Sequence, residues 1–229
     1  DRCKSNNLNS SLPFTGGWFA YLSYELIGQI ELTLTAKLHK SKLPIAYAVE
    51  IPSAIIIDHK LDKTFIIDQD SNHSRIDLIL SDIKLLGTMP TQRIKGDQSE
   101  EVEKKFIDGV KDSLDYIVAG DVFQVNLSRK WQYQLIETID SAIIYNALKK
   151  ANPAPFSALI QYENFSIISS SPERLFSVND KTLETRPIAG THPRGKGDLD
   201  KTQKDNLINH PKEIAEHVML LDLERNDMG

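Results

Sequence analysis

Phe156-Ser-Ala-Leu-Ile-Gln-Tyr162, Phe165-Ser-Ile-Ile-Ser-Ser170 and Glu173-Arg-Leu-Phe-Ser-Val178 follow one another almost without a gap. Each is strand-length, rich in β-branched or aromatic residues and bounded by turn residues. A hairpin at Asn179-Asp180 leads to a fourth expected strand over 182–188. Links this short join antiparallel neighbours, because a parallel crossover needs a dozen residues or more. Pro211 then suits a first helical position. The helix it opens carries Ile214, Val218, Leu221 and Arg225 on one face, with Glu213, Glu216, His217 and Leu220 around another. Strand runs set apart from helices indicate an α+β fold of mostly antiparallel sheets packed with helices, not an alternating parallel one.

The pattern continues toward the N-terminus. The spacing predicts a helix over Val102, Phe106, Val110, Leu114 and Ile117, with Asp97 and Glu100 as its capping pair and Gly120 as its stop. Val122 to Tyr133 alternates, which predicts a strand with Phe123, Val125, Leu127 and Arg129 on one side and Gln124, Asn126 and Ser128 on the other. A short helix is expected over about 139–150, before Asn152-Pro-Ala-Pro155. Residues 14–86 read mostly as strands (Trp18 to Tyr24, Ala54 to Asp58, Thr64 to Asp68), followed by a helix with Ile76, Ile79, Leu80 and Ile83 at helical spacing. Residues 87–98 have linker chemistry. They separate an expected N-terminal β-rich region, 1–90, from a second domain over 97–229.

Composition excludes some functions. The chain has 229 residues, 40% hydrophobic and 26% charged, enough for one large domain or two small ones. Its net charge of −5 and lack of basic runs argue against a nucleic-acid partner. No apolar run approaches the ~20 residues of a membrane span. The single cysteine, Cys3, points to a reducing cytosol and a cytoplasmic protein. The start at Asp1 without Met, and the end on Asn226-Asp-Met-Gly229 directly after a helical pattern, read as a span of a longer protein.

Four stretches can carry chemistry. Glu213 and Glu216, three apart on one helix, can address one hard cation, although such pairs also occur on solvated acidic faces. Glu173 opens a strand after Ser169-Ser-Ser-Pro172, where a carboxylate serves as a general acid or base, or as an ordinary turn residue. Thr185-Arg-Pro-Ile-Ala-Gly-Thr191 leaves a strand through a Gly-Thr corner that either presents backbone N–H groups and a hydroxyl to a carboxylate or is a loop corner with no ligand. The following His192-Pro-Arg-Gly-Lys-Gly197 is a basic loop whose Arg194 and Lys196 either attract an anion or are simply solvated. Asp68-Gln-Asp-Ser-Asn72 begins like a calcium loop, but His73 replaces the turn glycine and Ile79 the closing glutamate. There is no Gly-rich phosphate loop and no zinc spacing among the six histidines.

Read in order, six pieces resemble the chorismate-utilising enzymes, specifically the component I subunits of anthranilate synthase and aminodeoxychorismate synthase. They are Pro13-Phe-Thr-Gly-Gly17 with Tyr21-Leu-Ser-Tyr-Glu25, Gly120-Asp-Val-Phe-Gln-Val-Asn-Leu-Ser-Arg129, Asn152-Pro-Ala-Pro-Phe-Ser157, Ser170-Ser-Pro-Glu173, Arg186-Pro-Ile-Ala-Gly-Thr191 and Lys212-Glu-Ile-Ala-Glu-His217 through Asp227. The resemblance implies Mg²⁺ on the ring carboxylate of chorismate, held by Glu216 and Glu213, with Glu173 placed for proton transfer near the departing hydroxyl. It implies that Gly190 and Thr191 contact substrate. It also makes Gln124 a discriminator: water-adding relatives carry lysine there, and an amide is no base near neutral pH. Ammonia needs no such base, so the resemblance implies amination, fed by a glutamine amidotransferase subunit. Ala154 to Ser157, Gly16 to Tyr21 and Gln124 to Leu127 look more like aminodeoxychorismate synthase, a folate-pathway enzyme. Ala189 stands where some of those enzymes have a lysine nucleophile; alanine there is usual in anthranilate synthases and also occurs in folate-pathway members. A non-catalytic relative that binds an aromatic ligand and regulates a partner is the reading from another class. The family's remaining metal glutamates, its histidine and its glycine-rich carboxylate loop are expected beyond Gly229, so the span by itself is expected to be inactive.

Overall fold

The structure is a computed structural model that describes residues 12–33 and 43–229; Cys3 lies outside them. The chain divides into two compact units, Asp1–Met89 and Pro90–Gly229. Among the described residues the strand pairs are all antiparallel and form five two-stranded sheets, so the α+β class stands.

In the first unit β1 (Gly17–Leu22) pairs with β2 (Ala46–Ile51), Gly17 opposite Ile51 and Leu22 opposite Ala46. Tyr21 and Tyr47 face each other across the ladder, with rings stacked at 5.3 Å. The strand stops at Leu22 rather than Tyr24, because Tyr24–Leu26 turns into a 3-10 helix that runs into α1 (Ile27–Ile30). β3 (Ser53–Asp58) and β4 (Lys63–Asp68) form a hairpin whose turn is closed by Asp58, which accepts from the N–H groups of Lys60 and Leu61. α2 (Ser74–Leu85) follows. The Asp68 carboxylate, shielded from solvent, accepts from the N–H groups of Asp70 and Arg75 at 3.1 Å and from the Arg75 guanidinium at 3.0 Å. Burial pushes that carboxyl up, but these donors outweigh it and hold it below its ordinary value. The calcium-like stretch therefore commits its carboxylates to neighbouring backbone and side-chain donors: Asp70 likewise takes the Asn72 N–H and the Ser74 hydroxyl.

In the second unit β5 (Gly96–Glu100) pairs with β6 (Trp131–Leu135), Glu100 opposite Trp131. This corrects the expected cap: Asp97 lies in a strand, and α3 (Glu103–Ala119) starts after Val102 without a side-chain cap. Gly120 does end α3, in the left-handed conformation at φ +81°. Residues 122–130 form no strand, contrary to their alternation. Alternation gives a segment two faces but no ladder partner. Here Val125 and Leu127 line a hollow with Val110, Leu114 and Ile117 of α3 instead. The strand begins only where Trp131 meets Glu100; there Arg129 lies over the Phe106 and Trp131 rings, and Glu100 accepts from both Arg129 and the Trp131 indole.

α4 (Ser141–Ala151) is capped by Asp140, whose carboxylate accepts the Ala142 N–H at 2.8 Å. It packs on β7 (Phe156–Tyr162) and β8 (Phe165–Ser171), which pair from Phe156–Ser171 to the Tyr162–Phe165 turn. Ile139 and Ile143, at the start of this helix, are the buried apolar side chains among the described residues. β9 (Ser177–Asn179) and β10 (Thr182–Glu184) flank the Asp180 turn and are shorter than expected. Beyond them side-chain bonds replace the ladder, as where the Thr185 hydroxyl donates to the Leu175 carbonyl. α5 (Asp198–Asn209) was not legible, having only Leu199, Leu207 and Ile208 as apolar residues. α6 (Pro211–Met228) follows after His210 and packs on α5. No helix among the described residues is long and apolar enough to cross a membrane.

Asp140→Ala leaves the Ala142 N–H in the first turn of α4 without its carboxylate acceptor, beside the buried Ile139 and Ile143. It is expected to lower stability by about 1 kcal/mol, read as a lower denaturation midpoint at unchanged slope.

Candidate active site

The site starts at the end of β8. Ser170 Oγ donates to the Asn152 carbonyl, tying the strand to the C-terminal end of α4. Ser171 Oγ donates to the Glu173 carbonyl at 2.9 Å and accepts the Glu173 N–H at 3.4 Å. From this bend the Glu173 side chain reaches the segment after β10, where its Oε1 accepts the Ile188 N–H at 3.0 Å. A carboxylate and the loop two residues before Gly190 are thereby joined.

That loop next meets α6. Gly190 lies so close to Glu213 that a Cβ at position 190 would overlap the Glu213 carboxylate oxygen Oε2. Only glycine leaves room for that approach. Glu213 sits in the first turn of α6, whose free N–H groups favour an anionic side chain. Glu216 follows less than one turn on, along the same side. Both glutamates are half-covered, whereas Ile214, Val218 and Leu221 are 46%, 59% and 48% exposed. The side of α6 that carries Glu213 and Glu216 is thus less exposed than the side that carries Ile214, Val218 and Leu221. Ala189 is half-covered beside Gly190, and Thr191 presents an exposed hydroxyl. Among the described residues no group of three His, Cys, Asp or Glu side chains could hold a metal ion.

The loop over 192–197 is also resolved into a specific arrangement. Arg194 donates through Nε and a terminal nitrogen to the two oxygens of Asp200, each at 2.7 Å, and Gly195 N–H adds a third bond at 3.0 Å. A Cβ on Gly195 would stand 2.6 Å from the Asp200 nitrogen, so the loop is folded directly onto the first turn of α5. Arg194 is thus paired within the chain, which leaves the anion-attracting reading of this loop to Lys196 alone. The hydrogen bonds from Arg194, with help from Gly195 and against the effect of burial, hold the Asp200 carboxyl below its ordinary value. Gln124 is placed elsewhere along α6. With Phe123 it lines a hollow of about 810 Å³ against Met219, Asp222, Arg225 and Asn226. The structure thus joins Glu173, Ile188, Gly190 and Glu213, and sets Gln124 roughly 9 Å or more further along the helix axis from Glu213. The Ile188 N–H and the Ser171 hydroxyl were missed as parts of the site. A backbone donor has no residue signature, and a serine before Pro-Glu reads as a plain turn.

A family profile described as chorismate binding enzyme matches residues 2–229. The chain belongs to the chorismate-binding enzyme family. Anthranilate synthase component 1 of Thermus thermophilus is 34% identical over 229 residues, covering 95% of this chain and 48% of that protein. Aminodeoxychorismate synthase component 1 of Bacillus subtilis is 35% identical over 235 residues, 96% of this chain and 50% of that protein. The crystal structure of anthranilate synthase component I from Streptococcus pneumoniae superposes with a TM-score of 0.81 at 27% identity, over 98% of this chain and 52% of that one. The chain spans about half the length of the relatives it matches.

Within a chorismate-binding fold, Glu173, the 188–191 segment and Glu213 offer an anionic side chain for a proton, backbone N–H groups and a carboxylate for a cation. Two predictions test the geometry itself. Gly190→Ala is expected to push the flexible Glu213 carboxylate out of the corner while changing stability by no more than about 1 kcal/mol; a crystal structure and a melting curve of the variant read both. The Arg194–Asp200 pair responds to acid. Because the Asp200 carboxyl is depressed in the folded chain, the stabilisation is present above its ordinary value of 3.8 and is lost as pH falls through the depressed one. Protection of the Gly195 amide, relative to its intrinsic exchange rate at each pH, is expected to fall in that acid range, and Asp200→Asn to show the same loss of protection at neutral pH.

Proposed function

We propose that this chain carries part of the catalytic centre of an ammonia-using, chorismate-aminating component I, most closely an aminodeoxychorismate synthase. The observation that carries this is the meeting of Glu173, the Ile188–Thr191 segment and Glu213, three sequence-distant pieces brought to one place. Membership of the chorismate-binding family and relatives named for both aminating synthases support it.

The residues present fit Mg²⁺. Glu213 and Glu216 are half-covered carboxylates on one side of α6, and Mg²⁺ is commonly held by one or two carboxylates, with water and substrate oxygens completing its shell. When bound, the ion would neutralise the substrate carboxylate and withdraw electron density as the C4 hydroxyl departs. Glu173 acts as the general acid that delivers a proton to that hydroxyl, so it leaves as water. Its Oε1 is steadied by the Ile188 N–H, which orients the carboxyl group toward one direction of transfer. Gly190 and Thr191 meet the substrate with backbone N–H groups and a hydroxyl. Gln124 supplies no base to activate water, which favours ammonia as the nucleophile. The ammonia comes from a glutamine amidotransferase subunit.

Ala189 favours a second reading, anthranilate synthase component I. Without a lysine at 189 no covalent adduct forms there, so ammonia itself must be the attacking group.

Incubating the full-length protein with chorismate, Mg²⁺ and an ammonium salt separates these. The folate-pathway reading expects aminobenzoate only after a lyase is added; direct appearance of anthranilate fluorescence overturns it in favour of the second reading. Glu216→Gln is expected to lower Mg²⁺-dependent turnover by on the order of 100-fold. Unchanged turnover would remove Glu216 from the metal site.

A further inference from the structure

We infer that Ser171 is a positioning residue for Glu173, setting the stance from which that carboxylate transfers its proton; this rests on the proposed chemistry. Ser171 is the last residue of β8, opposite Phe156, and half-covered. Its hydroxyl engages both polar groups of the Glu173 main chain, donating to the carbonyl at 2.9 Å and accepting the N–H at 3.4 Å. One hydroxyl can do both, having one donor hydrogen and two lone pairs. Pro172 lies between them, with its φ locked by the ring and no N–H of its own. The bend from strand to Glu173 is therefore closed by a side-chain clip across a residue that cannot rotate about φ.

The two neighbouring anchors make the clip consequential. Upstream, Ser170 Oγ holds the strand end to the Asn152 carbonyl. Downstream, the Ile188 N–H holds Glu173 Oε1 at 3.0 Å. The main chain of Glu173 is fixed by Ser171 and one carboxylate oxygen by Ile188, so the direction of the remaining oxygen follows. Without the Ser171 hydroxyl, Glu173 is exposed and its backbone keeps no other hydrogen-bonded partner among the described residues. The Ile188 bond alone then leaves the carboxylate free to swing. Misplacement of a reacting group by about 1 Å can cost up to 100-fold in rate.

The experiment uses the full-length protein with chorismate, ammonium and saturating Mg²⁺, reading kcat and KM for Ser171→Ala, Ser171→Cys, Ser171→Thr, Glu173→Gln and the Ser171→Ala/Glu173→Gln double variant. The expected result is a kcat about 10-fold lower for Ser171→Ala with KM nearly unchanged. Ser171→Thr, which keeps the hydroxyl, restores most of the rate, and Ser171→Cys, a weaker donor, falls between. In the Glu173→Gln background Ser171→Ala costs nothing further, because the residue acts only through Glu173. An unchanged kcat, a change confined to KM, or a full additional loss in the Glu173→Gln background overturns the inference. Should Ser171→Ala fail to fold, the ordering of the Thr and Cys variants decides the same question. Turnover that Glu173→Gln slows and Ser171→Ala does not overturns this inference and leaves the functional reading standing. No turnover by the unaltered protein overturns both.

Discussion

Where Gly190 meets Glu213, two parts of the chain come closer than any side chain at 190 would permit, since a Cβ there would overlap the carboxylate. The rest of the candidate site is arranged around this approach. It brings the end of a loop against the first turn of α6, where backbone N–H groups favour a carboxylate. With Glu213 placed there, helical geometry puts Glu216 on the same side. On the other side of Gly190, the Ile188 N–H draws in Glu173 from the end of β8. A small residue, a helix start and one backbone donor thus assemble three segments that are distant in sequence.

Short-range polar bonds do much of the holding in this chain. Ser170 and Ser171 secure the end of β8, Asp140 caps α4, Asp58 closes a hairpin, and Asp68 and Asp70 order the entry to α2. The Arg194–Asp200 pair does the same for the loop beyond Thr191. Such bonds are directional, so they set where a segment points even where little apolar surface is buried around it. Among the described residues the buried apolar side chains are Ile139 and Ile143 at the start of α4, which Ser141 ties to Gln161 of β7, whereas Glu173 follows the other end of β8, which Ser170 ties to Asn152.

Helix α6 shows how pattern and burial can disagree. Ile214, Val218 and Leu221 have the spacing of a core-facing stripe, yet they are exposed, and Glu213 and Glu216 are half-covered. The stripe describes what the helix could bury, and spacing along the chain does not say what covers it. The same limit applies to residues 122–130. Their alternation is real, but the ladder to β5 is taken by Trp131–Leu135, and Leu127 lies near Gly109 of α3 instead.

Local order was legible in the sequence by itself: the β7–β8 hairpin, the Asp180 turn, the Gly120 stop, the Pro211 helix start and the α+β class. These depend on residues within a few positions of one another, where propensity and turn chemistry act. Family membership was legible too, because the ordered pieces from Pro13 to Asp227 survive as strings of residues. Only the tertiary structure decided that Asp97 joins a strand, that Arg194 is taken by Asp200, that Gln124 faces the later turns of α6, and that Glu173 rests on Ile188. Each of these depends on which partner competes successfully for a hydrogen bond or a face, and such partners are set by distances in space that no spacing along the chain encodes.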